Sequence, residues 1–140
     1  MIRIVILASG SGSNAENISI YFKRHESIKV VYILTNNKKA KVLDRAKQLK
    51  IKSCVFNRNN FNDESKLVEF LKKEADFVIL AGFLWKIPEH IIHAFPNKII
   101  NIHPALLPKY GGKGMYGMNI HKAVVENKEE QTGITIHYVN

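Results

Sequence analysis

The stretch 2-IRIVILASGSGSNA-15 runs from an apolar segment straight into a turn of glycines and serines, and then into helix-forming sequence. From Ile4 to Ala8 nothing polar interrupts it, which is the pattern of a strand covered on both faces of a parallel sheet. The same order then repeats. Short apolar runs at 28-IKVVYILT-35, 53-SCVF-56, 77-FVILAG-82 and 98-KIINI-102 predict further strands. Amphipathic stretches from Asn14 to His25, Ala40 to Leu49, Asp63 to Lys73 and Pro88 to Ala94 predict the helices between them. In the third, Leu67, Phe70 and Leu71 recur at the spacing of one buried face. Pro88 suits the first turn of the fourth, where its missing donor costs nothing. Alternating strands and helices imply right-handed crossovers and a doubly wound α/β sheet.

Beyond residue 103 the character changes. The segment 104-PALLPKYGGKGMYGM-118 holds two prolines and four glycines, which is loop chemistry. A helix is expected from Asn119 to Glu126. In 132-TGITIHYVN-140, Ile134, Ile136 and Tyr138 form the apolar face of a half-buried strand and alternate with Thr135, His137 and Val139. A strand that runs to the last residue suggests one domain, residues 1–140, incomplete at its C-terminus.

Composition narrows the function classes. With 140 residues, 46% hydrophobic and 24% charged, the chain suits one soluble globular domain. Its net charge is +9, but the lysines are scattered and no nucleic-acid signature or single basic stripe is present. They read as solvated helix faces, or as a field that attracts small anions. Cys54, the single cysteine, cannot form an internal disulfide and is expected to be a small buried side chain in a reduced compartment. No apolar segment approaches the roughly 20 residues of a membrane span, and the N-terminus reads as strand, not as a signal peptide. A cytoplasmic protein is expected, with no membrane or nucleic-acid partner.

Three motifs lie at carboxyl ends of predicted strands, where open α/β sheets bind ligands. The first is 9-SGSGSNA-15, whose glycines and helix start suit an anion. Gly10, Gly12 and Ala15 also fit the dinucleotide pattern, but strand two ends in Thr35, Asn36 and Asn37 without the carboxylate that would hold a ribose. A plain tight turn and a site for one phosphate monoester both stand. The second is 81-AGFLWKIP-88, where Phe83, Leu84, Trp85 and Ile87 either tuck over the core or form an apolar rim for a planar heterocycle. The third is Asn101 and His103, which share one parity at a strand end. An amide that donates to an oxyanion beside an imidazole titrating near neutrality suits acyl transfer, with the nucleophile belonging to a substrate. His137 and His121 are weaker candidates; His137 alternates with the apolar face of the last strand and could line the same cleft. No histidine or cysteine spacing suggests a metal site.

Together 9-SGSGSN-14, 81-AGFLWKI-87, 101-NIHPALLPKY-110 and 132-TGITIHYV-139 resemble the phosphoribosylglycinamide formyltransferases of purine biosynthesis, in order and spacing along the whole chain. The resemblance implies a Rossmann-like, mostly parallel sheet with a final antiparallel strand. It implies transfer of the formyl group of 10-formyltetrahydrofolate, the cosubstrate, to the amine of glycinamide ribonucleotide, without a metal, by a monomer or homodimer. Gly12, Ser13 and Asn14 would hold the ribonucleotide phosphate. Leu84, Trp85, Lys86, Ile87, Asn101 and Asn140 would border the folate. Asn101 would donate to the formyl oxygen, and His103 would act as general acid and base. Trp85 and Lys86 replace commoner Met-Arg-type residues, and Asn119 stands where many bacterial members carry histidine. Formyltetrahydrofolate deformylases and methionyl-tRNA formyltransferases share the Asn-x-His and are the alternative, with a non-catalytic nucleotide-binding module as a third. The family places a catalytic aspartate four residues beyond Asn140, so a chain ending there is expected to be inactive and to self-associate.

Overall fold

The computed structural model describes residues 1–103 and 135–140. Its strands are β1 (Ile2–Leu7), β2 (Ile28–Thr35), β3 (Lys52–Val55), β4 (Phe77–Ala81), β5 (Ile99–His103) and β6 (Thr135–Tyr138). Its helices are α1 (Ser13–Phe22), α2 (Val42–Gln48), α3 (Arg58–Asn62), α4 (Leu67–Glu74) and α5 (Glu89–Ala94). The strands form one sheet in the order β3-β2-β1-β4-β5-β6. Every pairing is parallel except β5 with β6, which run antiparallel.

The unbroken apolar run of β1 has a direct physical cause. Successive side chains point to opposite faces, and both faces are covered. Val5 and Leu7 enter a core with Phe61 of α3, Leu67, Val68 and Leu71 of α4, and Ile91 of α5. Ile4 and Ile6 enter a second core with Ala15 of α1 and Val42 and Ala46 of α2. Helices therefore lie on both sides, as the doubly wound reading requires. None of the helices among the described residues is long and apolar enough to cross a membrane.

Three expectations are corrected. The helix expected from Asp63 to Lys73 is α4, which starts later at Leu67, and a separate helix not expected from the sequence, α3, precedes it at Arg58–Asn62. There Asn57 caps the helix by accepting from the Asn60 amide at 2.8 Å, and the Asn60 side chain accepts in return from the Asn57 amide. Cys54 is exposed, not buried, because β3 pairs with β2 on one side and forms the sheet's edge. On β6 the apolar residues Ile136 and Tyr138 are the exposed ones, while Val139 packs against the core. The ladder decides this: Asn101 sits opposite His137, and the Val139 amide donates to the Ile99 carbonyl at 2.8 Å, which turns the other parity inward. The expected helix from Asn119 to Glu126 lies outside the described residues.

The entry to the sheet is clamped where β1 meets β4. The Asp76 carboxylate accepts from the Arg3 amide at 2.8 Å and from the Arg3 guanidinium at 3.2 Å. These bonds, the guanidinium's first, hold the Asp76 carboxyl below its usual range. Folding thus favours the ionised form. That contribution is complete above the unfolded value of about 3.9 and is lost as pH falls through the lowered folded value. Asp76→Asn should therefore melt below wild type at pH 7, and thermal scans should show the gap closing as pH is taken below about 4.

Candidate active site

The glycine loop is built from the protein side outward. After β1, the Ala8 amide donates to the Leu34 carbonyl at 3.0 Å, and the Ser9 amide donates to the Gly82 carbonyl at 3.1 Å. The buried Ser9 hydroxyl accepts from the Leu84 amide at 2.9 Å. The next three carbonyls are all taken by the protein's own donors: Gly10 accepts from the Val42 amide, Ser11 from the Arg45 guanidinium, and Gly12 from the Glu16 amide. An anion meets repulsion from carbonyl oxygens, and here each of the three is engaged. The amides that open α1, at Ser13 and Asn14, have no carbonyl within their own helix to take. Such amides, with the positive end of the helix dipole, favour negative charge.

Gly12 is the N-cap of α1 at φ +76°, and a Cβ placed there would lie 2.3 Å from Val42 Cγ2. Both the left-handed backbone and the close approach of α2 require glycine. Glu16 in the first turn would repel an anion, but Arg45 of α2 pairs with it while holding the Ser11 carbonyl. Neither Ser9 nor Arg45 was singled out from the sequence. Ser9 stood inside the motif, but its partners are 73 to 75 residues away; Arg45 looked like one more charge on a solvated helix.

The segment after β4 divides its residues between two tasks. Gly82 turns the chain at φ +71°. Phe83 and Trp85 join Phe56 and Phe61 in an aromatic cluster, with the Phe61 and Trp85 ring centroids 5.3 Å apart. The Arg58 guanidinium lies 3.8 Å from the Trp85 ring centroid, a cation–π contact on the solvent side. Leu84 is exposed. Lys86 and Ile87 line a cavity of about 590 Å³ with Pro88, Glu89, Ile92, His93 and Asn140. Of the residues expected to border the folate, then, Lys86, Ile87 and Asn140 share a cavity. Leu84 and Trp85 lie outside its lining.

At the end of β5, Asn101 faces His137 across the antiparallel ladder, with Nδ2 3.3 Å from the imidazole Nε2. His103 closes the strand, opposite Thr135, and the position of its imidazole lies outside what is described. Asn119, His121 and the stretch 104-PALLPKY-110 also lie outside the described residues. Among the described residues no three His, Cys, Asp or Glu side chains gather as a metal site would need. The glycine loop and the segment after β4 follow the carboxyl ends of β1 and β4, and Asn101 lies two residues before the carboxyl end of the adjacent strand β5. Between β1 and β4 the chain reverses its direction of winding, the place where such sheets open a crevice.

A formyl transferase domain matches residues 2–140. The chain belongs to the formyl transferase family. It is 40% identical to the chloroplastic phosphoribosylglycinamide formyltransferase of Arabidopsis thaliana, over 99% of this chain and 50% of that protein. To the phosphoribosylglycinamide formyltransferase of Bacillus subtilis it is 32% identical, over the whole chain and 72% of that protein. The crystal structure of glycinamide ribonucleotide transformylase 1 from Geobacillus kaustophilus superposes with a TM-score of 0.86 at 33% identity, covering all of this chain and 75% of that one. This formyl transferase chain spans about half the length of the plant relative.

Two substitutions test how the loop is held. Ser9→Ala should leave the Leu84 amide without its acceptor and lower stability by about 1–3 kcal/mol in urea unfolding. Gly12→Ala should cost more, roughly 2–5 kcal/mol, because left-handed backbone and overpacking against Val42 add. In the same titrations Gly12→Ala should unfold at the lower urea concentration of the two.

Proposed function

We propose that this protein transfers the formyl group of 10-formyltetrahydrofolate to the amine of glycinamide ribonucleotide. The observation that carries the reading is that the glycine loop and the segment after β4 are tied together at the carboxyl ends of β1 and β4, next to β5, which carries Asn101. The chain's similarity to the phosphoribosylglycinamide formyltransferases of Arabidopsis thaliana and Bacillus subtilis supports it. On this reading residues 1–140 belong to one formyltransferase domain of a cytoplasmic protein, monomeric or dimeric.

The roles follow from the chemistry. Gly12, Ser13 and Asn14 hold the ribonucleotide phosphate through helix-start amides and side chains. The folate lies along Lys86, Ile87 and Asn140, with Leu84 and Trp85 outside that lining. The substrate amine attacks the formyl carbon, and the carbonyl oxygen becomes an oxyanion that accepts from the Asn101 amide. His103 takes the proton released by the attacking nitrogen and returns it to the folate nitrogen as that carbon–nitrogen bond breaks. Asn119 remains a further candidate near the cleft.

In the full-length enzyme, Asn101→Ala should lower turnover by about 10²–10³-fold, the usual loss for one oxyanion donor. His103→Ala should abolish turnover. Both variants should keep the wild-type circular dichroism spectrum and bind glycinamide ribonucleotide in calorimetric titration. Near-wild-type turnover in either would sink the assigned roles. A wild-type protein that binds no phosphate monoester would favour instead a deformylase or a tRNA-directed relative.

A further inference from the structure

We propose that His137 is the positioning residue for Asn101, setting its amide so that Nδ2 and not Oδ1 is presented to the developing oxyanion. The inference rests on the function proposed above, because it concerns how the oxyanion donor is aimed. It begins from the register: His137 on β6 is the direct partner of Asn101 on β5.

The half-buried imidazole touches two groups of known polarity. Its Nδ1 lies 3.1 Å from the Tyr138 backbone carbonyl oxygen, and its Nε2 lies 3.3 Å from Asn101 Nδ2. A carbonyl oxygen only accepts, so Nδ1 carries the hydrogen. A neutral imidazole has one such hydrogen, so Nε2 offers a lone pair. The amide opposite that lone pair must therefore present its NH₂ group. Turned over, it would set Oδ1 against Nε2, two acceptors with no proton between them.

The consequence for the reaction is directional. An asparagine amide free to turn would at times set its carbonyl oxygen toward the reaction centre and would have to turn over before it could donate to the oxyanion. The chain from the Tyr138 carbonyl through the imidazole to Nδ2 removes that freedom. The bond to His137 uses one of the two amide hydrogens, and the second is the donor that oxyanion stabilisation needs. His137 thus acts through Asn101, without itself touching the reacting atoms.

Two measurements test this. In the ¹⁵N-labelled wild-type protein, long-range nitrogen–proton spectra should show His137 protonated at Nδ1 and bare at Nε2 at neutral pH. The hydrogen on Nε2 would overturn the proposal. In formyl-transfer kinetics, His137→Phe should lower kcat on the order of 10-fold to 100-fold, the scale of a misplaced group. KM for both substrates should stay within about twofold, since the loss belongs to the transition state. His137→Gln, which restores an acceptor, should recover most of the loss. Wild-type kcat in His137→Phe, or no recovery in His137→Gln, would overturn the proposal. A full-length wild-type enzyme that transfers no formyl group would count against the proposed function alone, because the tautomer is read without turnover.

Discussion

Everything at the rim of this sheet depends on one buried serine. Ser9 spends its amide on the Gly82 carbonyl and its hydroxyl on the Leu84 amide. It thereby fastens the loop after β1 to the segment after β4 at the place where the sheet reverses its winding. Without those two bonds the anion loop and the cavity wall would be separate surface features. With them, each is held at a set distance from the other, and β5 brings Asn101 alongside as the next strand in order.

The same economy governs charge. Arg45 donates to the Ser11 carbonyl and pairs with Glu16, so a helix start that would otherwise carry a free carboxylate is left favourable to an anion. On the far side, Arg58 lies over Trp85 and closes the aromatic cluster to solvent. In both places a side chain that the sequence presents as a surface charge is structural, because its partner lies in another element.

Much of the fold was legible because it is written in short-range patterns. The apolar run of β1 announced two covered faces, and the core clusters on either side bear that out. Where the pattern was ambiguous, reading it failed for specific reasons. The residues of β3 looked like a core strand, but at the sheet's edge Cys54 is exposed. The alternation in β6 was right in period and wrong in sense, since only pairing with β5 decides which parity faces the body. Nothing in 57-NRNNFN-62 resembles an apolar helix face, so a helix held by an asparagine capping box was missed.

By itself the sequence determined the alternation of strands and helices apart from α3, the glycine turn between β1 and α1, and Asn101 and His103 towards the end of β5. These are properties of local runs and spacings. Only the tertiary structure decided that Ser9 ties two loops together, that Trp85 belongs to an aromatic cluster and lies outside the cavity lining, and that His137 faces Asn101. Each of those is a contact between residues far apart in the chain. Their partners are chosen by strand register and crossover, which no local pattern records.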